Sequence, residues 1–573
     1  MDYLVRCIRT TACCILLHAA SAWSQQNTPA DTIYLHGNVI TVNDAQPKAE
    51  AVAVAKGQIL AVGTDQQILA YKAATTRVVD LHGKTMLPGF VDGHSHFTMV
   101  AALWGIPNLN PPPVGSVRTV ADIQHIMREH IAAHPPKPGE FAYAFGYDDA
   151  ELAEHRHPMR QDLDAITTTY PLCLQHASGH LATCNSLALK TLGYDRNTPD
   201  PEGGKLFHDP STGELNGVLA DAAAAGIRKF IPPPSPQQMA QSLQAAQTYY
   251  AGFGYTTVQD GATGPADMIK MLQTANSKGL LKLDVIAYPV YAGADAFVSQ
   301  LGITFSKQYT GHLKFQGVKV FADGSPQGKT AWFTTAYVHP PDGASNEYRG
   351  FPNMSQEQMD AVYDHAYSKD WQVITHANGD AAIDEVLNAL QKAEAKYGAN
   401  DRRPVIIHSQ VMRPDQFDRY VQLHVFPSFF EAHTFYWGDW HRKEILGEQR
   451  AAYISPLHSA LDHHILFSLH SDAPIIPPNP MMLWWCAVNR KTRSGFVLGP
   501  DQRIDAMTAL KALTLWPAYQ QFDDNIKGSI EPGKYADFVL LEEDPLKANP
   551  DHLREIRVLE TIKQDEVLYK REP

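Results

Sequence analysis

The stretch LPGFVDGHSH, residues 87–96, joins a short apolar segment to two histidines. In an extended strand successive side chains point to opposite faces, so His94 and His96 point to the same side. One metal ion could therefore bind both imidazoles. The pair alone is weak evidence, because the chain contains 26 histidines and such pairs also arise by chance. The surrounding sequence has to show whether the pair binds metal.

From this stretch to about residue 500, apolar strand-like segments alternate with amphipathic helical segments. The strand candidates are TMLPGFVDG (85–93), YTTVQDG (255–261), LKFQGVKVFADG (313–324), WQVITHANG (371–379), PVIIHSQ (404–410) and HILFSLHSD (464–472). Helical candidates include residues 235–254 and 381–398, and both end in glycine, as helices often do. This alternation predicts a parallel sheet, either closed into a (β/α)8 TIM-type barrel or open and doubly wound.

The ends of these strands favour the barrel. Buried parallel strands normally read as apolar runs, but these finish in histidine or aspartate, or contain a lysine: GHSH (93–96), GVKVFADG (317–324), ITHANGD (374–380), IIHSQ (406–410) and SLHSD (468–472). At the C-terminal mouth of one barrel, such side chains converge although they lie far apart in sequence. We therefore predict an α/β fold whose barrel, with insertions, spans residues 85–512.

Both ends of the chain have a different pattern. Alternating β-branched residues and glycine turns predict short strands in residues 31–64, and again in GSIEPGKYADFVLLEEDP (528–545) and residues 556–570. One small β-sandwich domain, assembled from residues 31–84 and 513–573, accounts for both ends. Two unrelated β appendages are the alternative.

Residues 1–22 predict a secretory signal peptide. Arg6 and Arg9 precede a modest apolar stretch, and Ala20-Ser21-Ala22 has the small-residue pattern of a cleavage site. A frayed or membrane-anchoring N-terminus is the alternative, but the apolar run is far shorter than the ~20 residues that span a bilayer. We expect an exported protein, periplasmic or secreted, without a membrane span.

The spacing of the cysteines indicates neither a disulfide scaffold nor a zinc site. Beyond the predicted leader the chain has Cys173, Cys184 and Cys486, and none of them belongs to a CxxC pair. A thiolate zinc cage and a disulfide scaffold are therefore not indicated. We expect buried free thiols, with pairing of Cys173 and Cys184 in an oxidising compartment as the alternative.

Composition and charge narrow the function classes. The 44% hydrophobic and 19% charged residues are typical of a globular protein. A net charge of -13, with no long Lys/Arg block, argues against nucleic acid as a partner. The sequence has no G-x-S-x-G nucleophile elbow, which argues against a serine-dependent α/β hydrolase. A small-molecule substrate fits best, and a homodimer stays open.

Taken together, the motifs identify a family. LPGFVDGHSH resembles the first-strand signature of the amidohydrolase superfamily, and GSIEPGKYADFVLLEEDP is similar to its closing β-domain motif. The middle of the chain resembles the amidohydrolase 3 branch with the N-substituted formamide deformylase-like enzymes, in GHLATCNSLAL (179–189), GVKVFADGSPQGKTA (317–331), THANGDAAID (375–384), HTFYWGD (433–439) and HSDAPIIPPNP (470–480). The resemblance covers nearly the whole chain after the leader.

The resemblance implies a metal centre. It makes His94 and His96 ligands of a more buried ion and His376 and His408 ligands of a second ion. Asp472 matches the final-strand aspartate, which binds metal and shuttles protons. Imidazole nitrogen and carboxylate oxygen are the ligands that Zn²⁺ takes, with open positions left for water. We expect one or two zinc ions.

Lys319 matches the lysine that many relatives carboxylate to bridge two ions. At an ordinary pKa near 10.4, only roughly one lysine in 2,500 is neutral at pH 7, so burial and nearby cations have to lower that pKa before the amine reacts with CO₂. The carbamate is anionic and suits two cations. The alternative is that Lys319 snorkels or forms an ion pair with Asp323, and Lys314 on the same strand is a weaker candidate for the bridge.

Further residues are predicted around the substrate. His180 matches a branch residue near the substrate carbonyl and is expected to stabilise an oxyanion. His433 and Trp437, together with Tyr147, complete the predicted substrate-binding set. The alternatives are a core or loop histidine at position 180 and aromatic packing beneath a loop at positions 433–437.

Two residues are expected behind the ligands. Asp323 is predicted to orient them by hydrogen bonding, and His470 faces the same side as Asp472 by strand alternation. One departure from the branch is Ile407, where many members have glutamate before the sixth-strand histidine. This difference casts doubt on whether the residues around His408 match those of the branch, but His408 itself still matches the metal ligand.

The sequence therefore predicts a hydrolase that uses a metal-activated hydroxide to cleave an amide, N-acyl or N-formyl bond of a small, partly apolar substrate, with Asp472 as proton acceptor and donor. An ester, lactone or cyclic-amide hydrolase is the enzymatic alternative. A non-catalytic exported binding or regulatory protein is the alternative from another class. The intact ligand set argues against it.

Overall fold

The computed structural model describes residues 28–231, 235–341 and 343–572. The predicted signal peptide, residues 1–22, lies outside them. Within these ranges the chain has a mixed α/β fold, and no helix there combines the length and apolar character that crossing a membrane requires.

The strands are short and run through the whole of the described chain. They are β1 (Thr32–Leu35), β2 (Asn38–Ile40), β3 (Lys48–Ala49), β4 (Ala51–Ala55), β5 (Gln58–Gly63), β6 (Arg77–Asp80), β7 (Thr85–Pro88), β8 (Phe90–Val91), β9 (Ala142–Tyr147), β10 (Leu172–His176), β11 (Leu181–Cys184), β12 (Gly204–His208), β13 (Leu215–Asp221), β14 (Tyr255–Thr263), β15 (Asp284–Pro289), β16 (Leu313–Phe315), β17 (Gly317–Phe321), β18 (Gln372–Ala377), β19 (Val405–His408), β20 (Phe426–Phe429), β21 (Ser468–Leu469), β22 (Phe538–Leu541), β23 (Val558–Lys563) and β24 (Glu566–Lys570).

The longer helices follow strands of the central region, as the sequence pattern predicts. The α-helices are α1 (Asp65–Leu69), α2 (Phe97–Ala102), α3 (Val120–Ala133), α4 (Arg160–Asp164), α5 (Ser186–Leu192), α6 (Ala222–Ala225), α7 (Pro236–Gly252), α8 (Ala266–Ser277), α9 (Ala294–Leu301), α10 (Gln356–Ser368), α11 (Asp380–Tyr397), α12 (Phe417–Gln422), α13 (His433–Tyr436), α14 (Gly438–Trp440), α15 (Gly447–Ala452), α16 (Leu457–Asp462), α17 (Pro480–Asn489), α18 (Ala506–Lys511) and α19 (Leu515–Gln520).

Two parallel sheets form the centre of the fold. One has the order β16-β15-β14-β8 and the other the order β17-β18-β19-β20-β21. In β18 and β19 every residue is buried, as expected for parallel strands covered on both faces. Their register pairs Phe321 with His376 and Ala377 with His408. Because parallel strands end at the same edge, this register brings their C-terminal polar residues to one place.

A third sheet, with the order β12-β13-β11-β10-β9, is inserted between β8 and β14. The antiparallel pairing of β10 with β11 sets Cys173 directly opposite Cys184, and the two form a disulfide with 4.2 Å between their Cα atoms. The prediction of free thiols at these positions is wrong, because cross-strand register is not visible in the spacing of the cysteines. Cys486 is free and buried, as predicted.

The two ends of the chain share one sheet. Its order is β24-β23-β22-β7-β2-β3, so three strands from residues 538–570 lie beside three strands from residues 38–88. The pairing of β7 with β22 joins the two ends directly. A four-stranded sheet, β5-β4-β1-β6, completes this part, and Tyr34 meets Phe538 edge-on at 5.6 Å in the core it encloses.

Candidate metal centre

The first three predicted ligands lie close together. His94 and His96 follow β8, and Asp472 follows β21. Asp472 Oδ1 lies 3.1 Å from His96 Nε2 and 3.5 Å from His94 Nε2. The donor atoms of these residues all lie within 4.8 Å of one another, which suits a single ion.

His376, His408 and Lys319 join the same centre. His408 Nε2 lies 3.2 Å from His376 Nδ1, and Lys319 Nζ lies 3.1 Å from His94 Nε2. The imidazole rings of His94 and His408 are 6.1 Å apart between centroids. Side chains from five different strands or strand ends thus meet in one neighbourhood, as the sequence predicts.

Hydrogen bonds behind the rings set their orientation. His94 Nδ1 is 2.6 Å from Gln259 Oε1, and His376 Nε2 is 3.1 Å from the carbonyl oxygen of Gly324. A ring nitrogen that donates to an oxygen acceptor must carry the proton. The other ring nitrogen is then unprotonated, and its lone pair is directed to the centre. His470 plays the same part for His408, with 3.2 Å between His470 Nε2 and His408 Nδ1.

The backbone at two of these residues is strained. His408 has φ 74° and Asp472 has φ 55°. Positive φ is uncommon for residues other than glycine, and such strain persists where the surroundings hold it, often at functional sites. Here it directs the two side chains from the ends of their strands to the common centre.

The electrostatics of the centre favour metal binding. Burial lowers the pKa of His94, His376 and His408 well below the usual value, so these imidazoles are neutral, which is the form that binds metal. Burial also lowers the pKa of Lys319 to about 7. About half of its amines are then neutral at pH 7.

Asp472 completes the fit to a cation. Burial opposes its ionisation, but His96, His470 and Lys319 together outweigh burial and hold the pKa of this carboxyl below its usual value. Within the described ranges, its buried Oδ1 accepts no hydrogen bond. A buried anionic oxygen costs free energy unless a cation or a donor compensates it. Together with the inward-facing imidazole nitrogens, this oxygen fits a divalent ion.

Asp323 lies behind His376. Its carboxylate accepts hydrogen bonds from the backbone amides of Asn378 (2.9 Å), Gly379 (2.8 Å) and Trp332 (3.0 Å), and Oδ1 lies 3.5 Å from His376 Nε2. Burial nevertheless raises its pKa to about 7. Asp323 therefore fixes the loop that positions His376.

None of the alternatives for the lysine forms, and Lys319, which is only 1% exposed, does not snorkel to solvent. Among the residues that the structure describes, Lys319 makes no ion pair with Asp323. Lys314 is engaged elsewhere, since its Nζ lies 2.7 Å from Asp523 Oδ1 and donates to the carbonyl oxygen of Gln521.

His180 reaches the centre from the inserted sheet. Its ring centroid lies 4.8 Å from that of His376. His180 Nδ1 donates to Asp221 Oδ1 at 2.6 Å, so Nε2 is the atom left to face the cavity. Burial disfavours the cation, but the charge and the hydrogen bond of Asp221 outweigh burial and raise the pKa of His180 above its usual value.

A cavity of about 1340 Å³ opens from the centre. At its inner end lie His96, His180, Lys319, His376 and Asp472. Farther out, its walls come from α2, the segment after β13, α7 and α8, and many of the side chains there are apolar.

Three predicted substrate residues do not line this cavity. Tyr147 donates to or accepts from Thr183 Oγ1 at 2.9 Å, and Trp437 Nε1 donates to Asp148 Oδ2 at 2.6 Å. The short helix α13 turns His433 inward, where its Nδ1 meets His441 Nε2 at 2.9 Å. The alternative of aromatic packing therefore describes the contacts at positions 433–437 better than the predicted pocket does.

A second group of possible ligands, Asp148, Asp149 and His176, lies at the ends of β9 and β10 of the inserted sheet. His176 Nε2 lies 2.9 Å from Asp149 Oδ1. Burial disfavours the charged ring, but the two carboxylates outweigh it and raise the pKa of His176 to about 9. The positive charge of His176 and the neighbouring carboxylates therefore compensate one another as a buried ion pair.

Sequence reasoning missed two residues of the centre, Asp221 and Gln259. Both lie in strands, and Asp221 shows the polar strand end that was used for the other positions, in GVLAD (217–221). Gln259 carries no such signal, since it lies within β14 and its role depends on the position of His94 across the sheet.

Comparison with known proteins gives the same assignment. The model of the amidohydrolase family matches residues 77–569. The chain is 28% identical to the N-substituted formamide deformylase of Arthrobacter pascens over 553 residues, which cover 94% of this chain and 98% of that protein. It is 30% identical to Protein LONG AFTER FAR-RED 3 of Arabidopsis thaliana over 526 residues, or 89% of this chain and 87% of that one.

A solved structure shares the fold. The uncharacterized metal-dependent hydrolase from Pyrococcus horikoshii OT3 superposes with a TM-score of 0.70 at 23% identity, covering 91% of this chain and 99% of that one. The likeness supports a fold of the α/β TIM-barrel type.

Proposed function

Because the chain belongs to the amidohydrolase family and is a metal-dependent hydrolase of carbon–nitrogen bonds, we propose that it cleaves an amide, N-acyl or N-formyl bond of a partly apolar small molecule. The observation that carries the proposal is the meeting of His94, His96 and Asp472 with His376 and His408 at the inner end of an open cavity. The activity that the name of the deformylase relative states supports the bond type.

Zinc is the ion that we propose, as two ions bridged by a carboxylated Lys319. Nitrogen and carboxylate ligands suit Zn²⁺. In forming the bridge, the neutral amine of Lys319 bonds to the carbon of CO₂ and loses one proton, which leaves an anionic carbamate. Its lowered pKa and its position 3.1 Å from His94 Nε2 support this step.

The chain's own residues divide the work of hydrolysis. A bound divalent ion lowers the pKa of water and polarises a carbonyl. Asp472, ionised and free at Oδ1, accepts the proton of the attacking water and delivers it to the leaving nitrogen. His180, held at Nδ1 by Asp221, presents Nε2 to the carbonyl oxygen as its negative charge develops.

The finer architecture and the location of the protein are parts of the same proposal. We infer that β16 and β17, which only Gln316 separates, act as one strand, so that the two parallel sheets close into one eight-stranded barrel with the terminal sheets as a sandwich beside it. The protein acts after export to the periplasm or the medium. The Cys173–Cys184 disulfide supports this location, because such bonds persist in oxidising compartments.

A panel of N-formyl, N-acetyl and N-benzoyl amides with matching esters and lactones tests the proposal. The zinc-loaded wild type should turn over amides with kcat/KM above that for the matching esters. Asp472→Asn should lose roughly 10²- to 10⁴-fold in kcat, the range for a general acid–base group. Preference for esters or lactones would favour the alternative hydrolase, and bound metal without turnover of any substrate would favour the binding or regulatory protein.

A further inference from the structure

The cavity is larger than its reacting end requires. Pockets for small molecules usually measure ~300–1,000 Å³, whereas this one has about 1340 Å³. A formyl or acetyl amide held at His180 and Asp472 would leave most of the space empty. The remaining space therefore carries information about the substrate.

This outer space runs along one face of α8. Met268, Met271 and Ala275 of that helix line it, and so does Lys278 just beyond the helix end. From position 268 to position 278 the helix axis covers ~15 Å, at 1.5 Å per residue. The cavity is thus an elongated groove that begins at the metal centre and follows the helix outward.

The groove has an apolar lining that the residues described by the structure leave uncovered. Six half-buried apolar side chains face it from α2 and its following turn, from α7 and from α8: Met99, Leu103, Ile106, Met239, Met268 and Met271. Four of the six are methionines, whose unbranched side chains adapt to flexible apolar ligands. The cations Arg228, Lys270 and Lys278 also border the cavity, but they can keep their charged ends in water.

We propose that the substrate is an N-acyl amide with a long, flexible acyl chain, and that this chain lies in the groove along α8. The inference rests on the proposed function, because it places the scissile carbonyl at the His180 and Asp472 end. The occupant is the substrate itself, since the groove is continuous with the centre. Burial of each methylene against the methionines supplies the recognition.

A chain-length series tests the proposal. N-acyl p-nitroanilides from acetyl through hexanoyl to decanoyl are assayed with the zinc-loaded enzyme. Each methylene that enters the groove should raise kcat/KM roughly two- to fourfold, as expected for partial to full burial, until the chain reaches the end of α8. A flat or falling series would overturn the inference.

Variants of α8 locate the effect. Met271→Asp should abolish the gain with chain length, so that kcat/KM falls far more for the decanoyl anilide than for the acetyl anilide, which does not reach position 271. Met271→Leu should keep the gain. Ser277→Asp adds the same charge on an exposed part of α8 outside the groove and should leave the series unchanged. Equal effects of the two aspartate substitutions would contradict the placement.

A binding measurement separates failure of the groove from failure of the proposed function. Calorimetry with butyrate and decanoate should show at least tenfold tighter binding of decanoate to the wild type, and no such gain for Met271→Asp. If no amide is hydrolysed but this difference appears, the proposed function fails and the groove stands. If amides are hydrolysed and decanoate binds no tighter than butyrate, the groove inference fails.

Discussion

Asp221→Asn removes one negative charge from the side chain that holds His180. Asp221 Oδ1 lies 2.6 Å from His180 Nδ1, and the side chains are only 8% and 14% exposed. Asparagine has nearly the same shape, so the change isolates the carboxylate. Because Asp221 is not among the residues proposed to bind metal, metal content should stay as in the wild type.

The size of the effect follows from this contact. A hydrogen bond to a charged partner contributes ~1.5–3 kcal/mol, and loss of one oxyanion-stabilising donor costs roughly 10²–10³ in kcat. We expect kcat to fall about 10²-fold at neutral pH with KM nearly unchanged. Since Asp221 raises the pKa of His180, the alkaline limb of the pH profile, where His180 loses its proton, should move to lower pH in the variant.

The assay is kcat and KM on an N-acyl p-nitroanilide across pH, with metal content measured on the same samples. A double-mutant cycle with His180→Gln gives the coupling: if Asp221 acts through His180, the double variant should be no slower than His180→Gln alone. Glu214→Gln makes the same charge change in the inserted sheet, at a partly exposed pair with Arg196, and serves as control. Activity of Asp221→Asn within threefold of wild type, or additive losses, would refute the reasoning.

Two further predictions concern buried titratable groups. Lys319→Met should lose one of the two bound ions and at least 10²-fold in kcat. Added short carboxylates should restore part of the activity, because they substitute for the carbamate. Full metal content and full activity without any additive would rule out the bridge. Burial lowers the pKa of His441 from 6.5 in the unfolded chain to about 3 in the folded protein. Between pH 3 and pH 6.5 the unfolded chain therefore binds one more proton than the folded protein. The free energy of unfolding accordingly decreases as the pH falls below 6.5. His441→Gln should therefore reduce the slope of unfolding free energy against pH, measured by urea titration, by roughly 0.7 kcal/mol per pH unit at pH 6.5 and by ~1.4 near pH 5, and an unchanged slope would contradict this reasoning.

The metal centre was predictable because it follows a simple rule. Polar residues that end apolar strands are costly in a core, so His94, His376, His408 and Asp472 stood out wherever they interrupted the pattern. Parallel register then brings them together without any information beyond strand order.

The misses have a different physical origin. The Cys173–Cys184 pair and the contact of His180 with Asp221 depend on antiparallel register in the inserted sheet, which local sequence does not specify. At positions 433–437 an aromatic cluster could line a pocket or fill a core, and both arrangements bury the same apolar area. The short helix α13 turns these side chains to the core, where His433 contacts Phe430 and His441, which both lie outside the motif.

The central claim is that His94, His96, Lys319, His376, His408 and Asp472 hold divalent metal at one shared centre. Elemental analysis of the purified protein by inductively coupled plasma mass spectrometry tests it most directly, with wild type beside His94→Asn, His376→Asn and the remote control His125→Asn, an exposed histidine of α3. We expect two zinc ions per chain in wild type and control, and a loss of one or both in each of the other variants. Wild-type metal content in both His94→Asn and His376→Asn, or a metal-free wild type with full amidase activity, would contradict it.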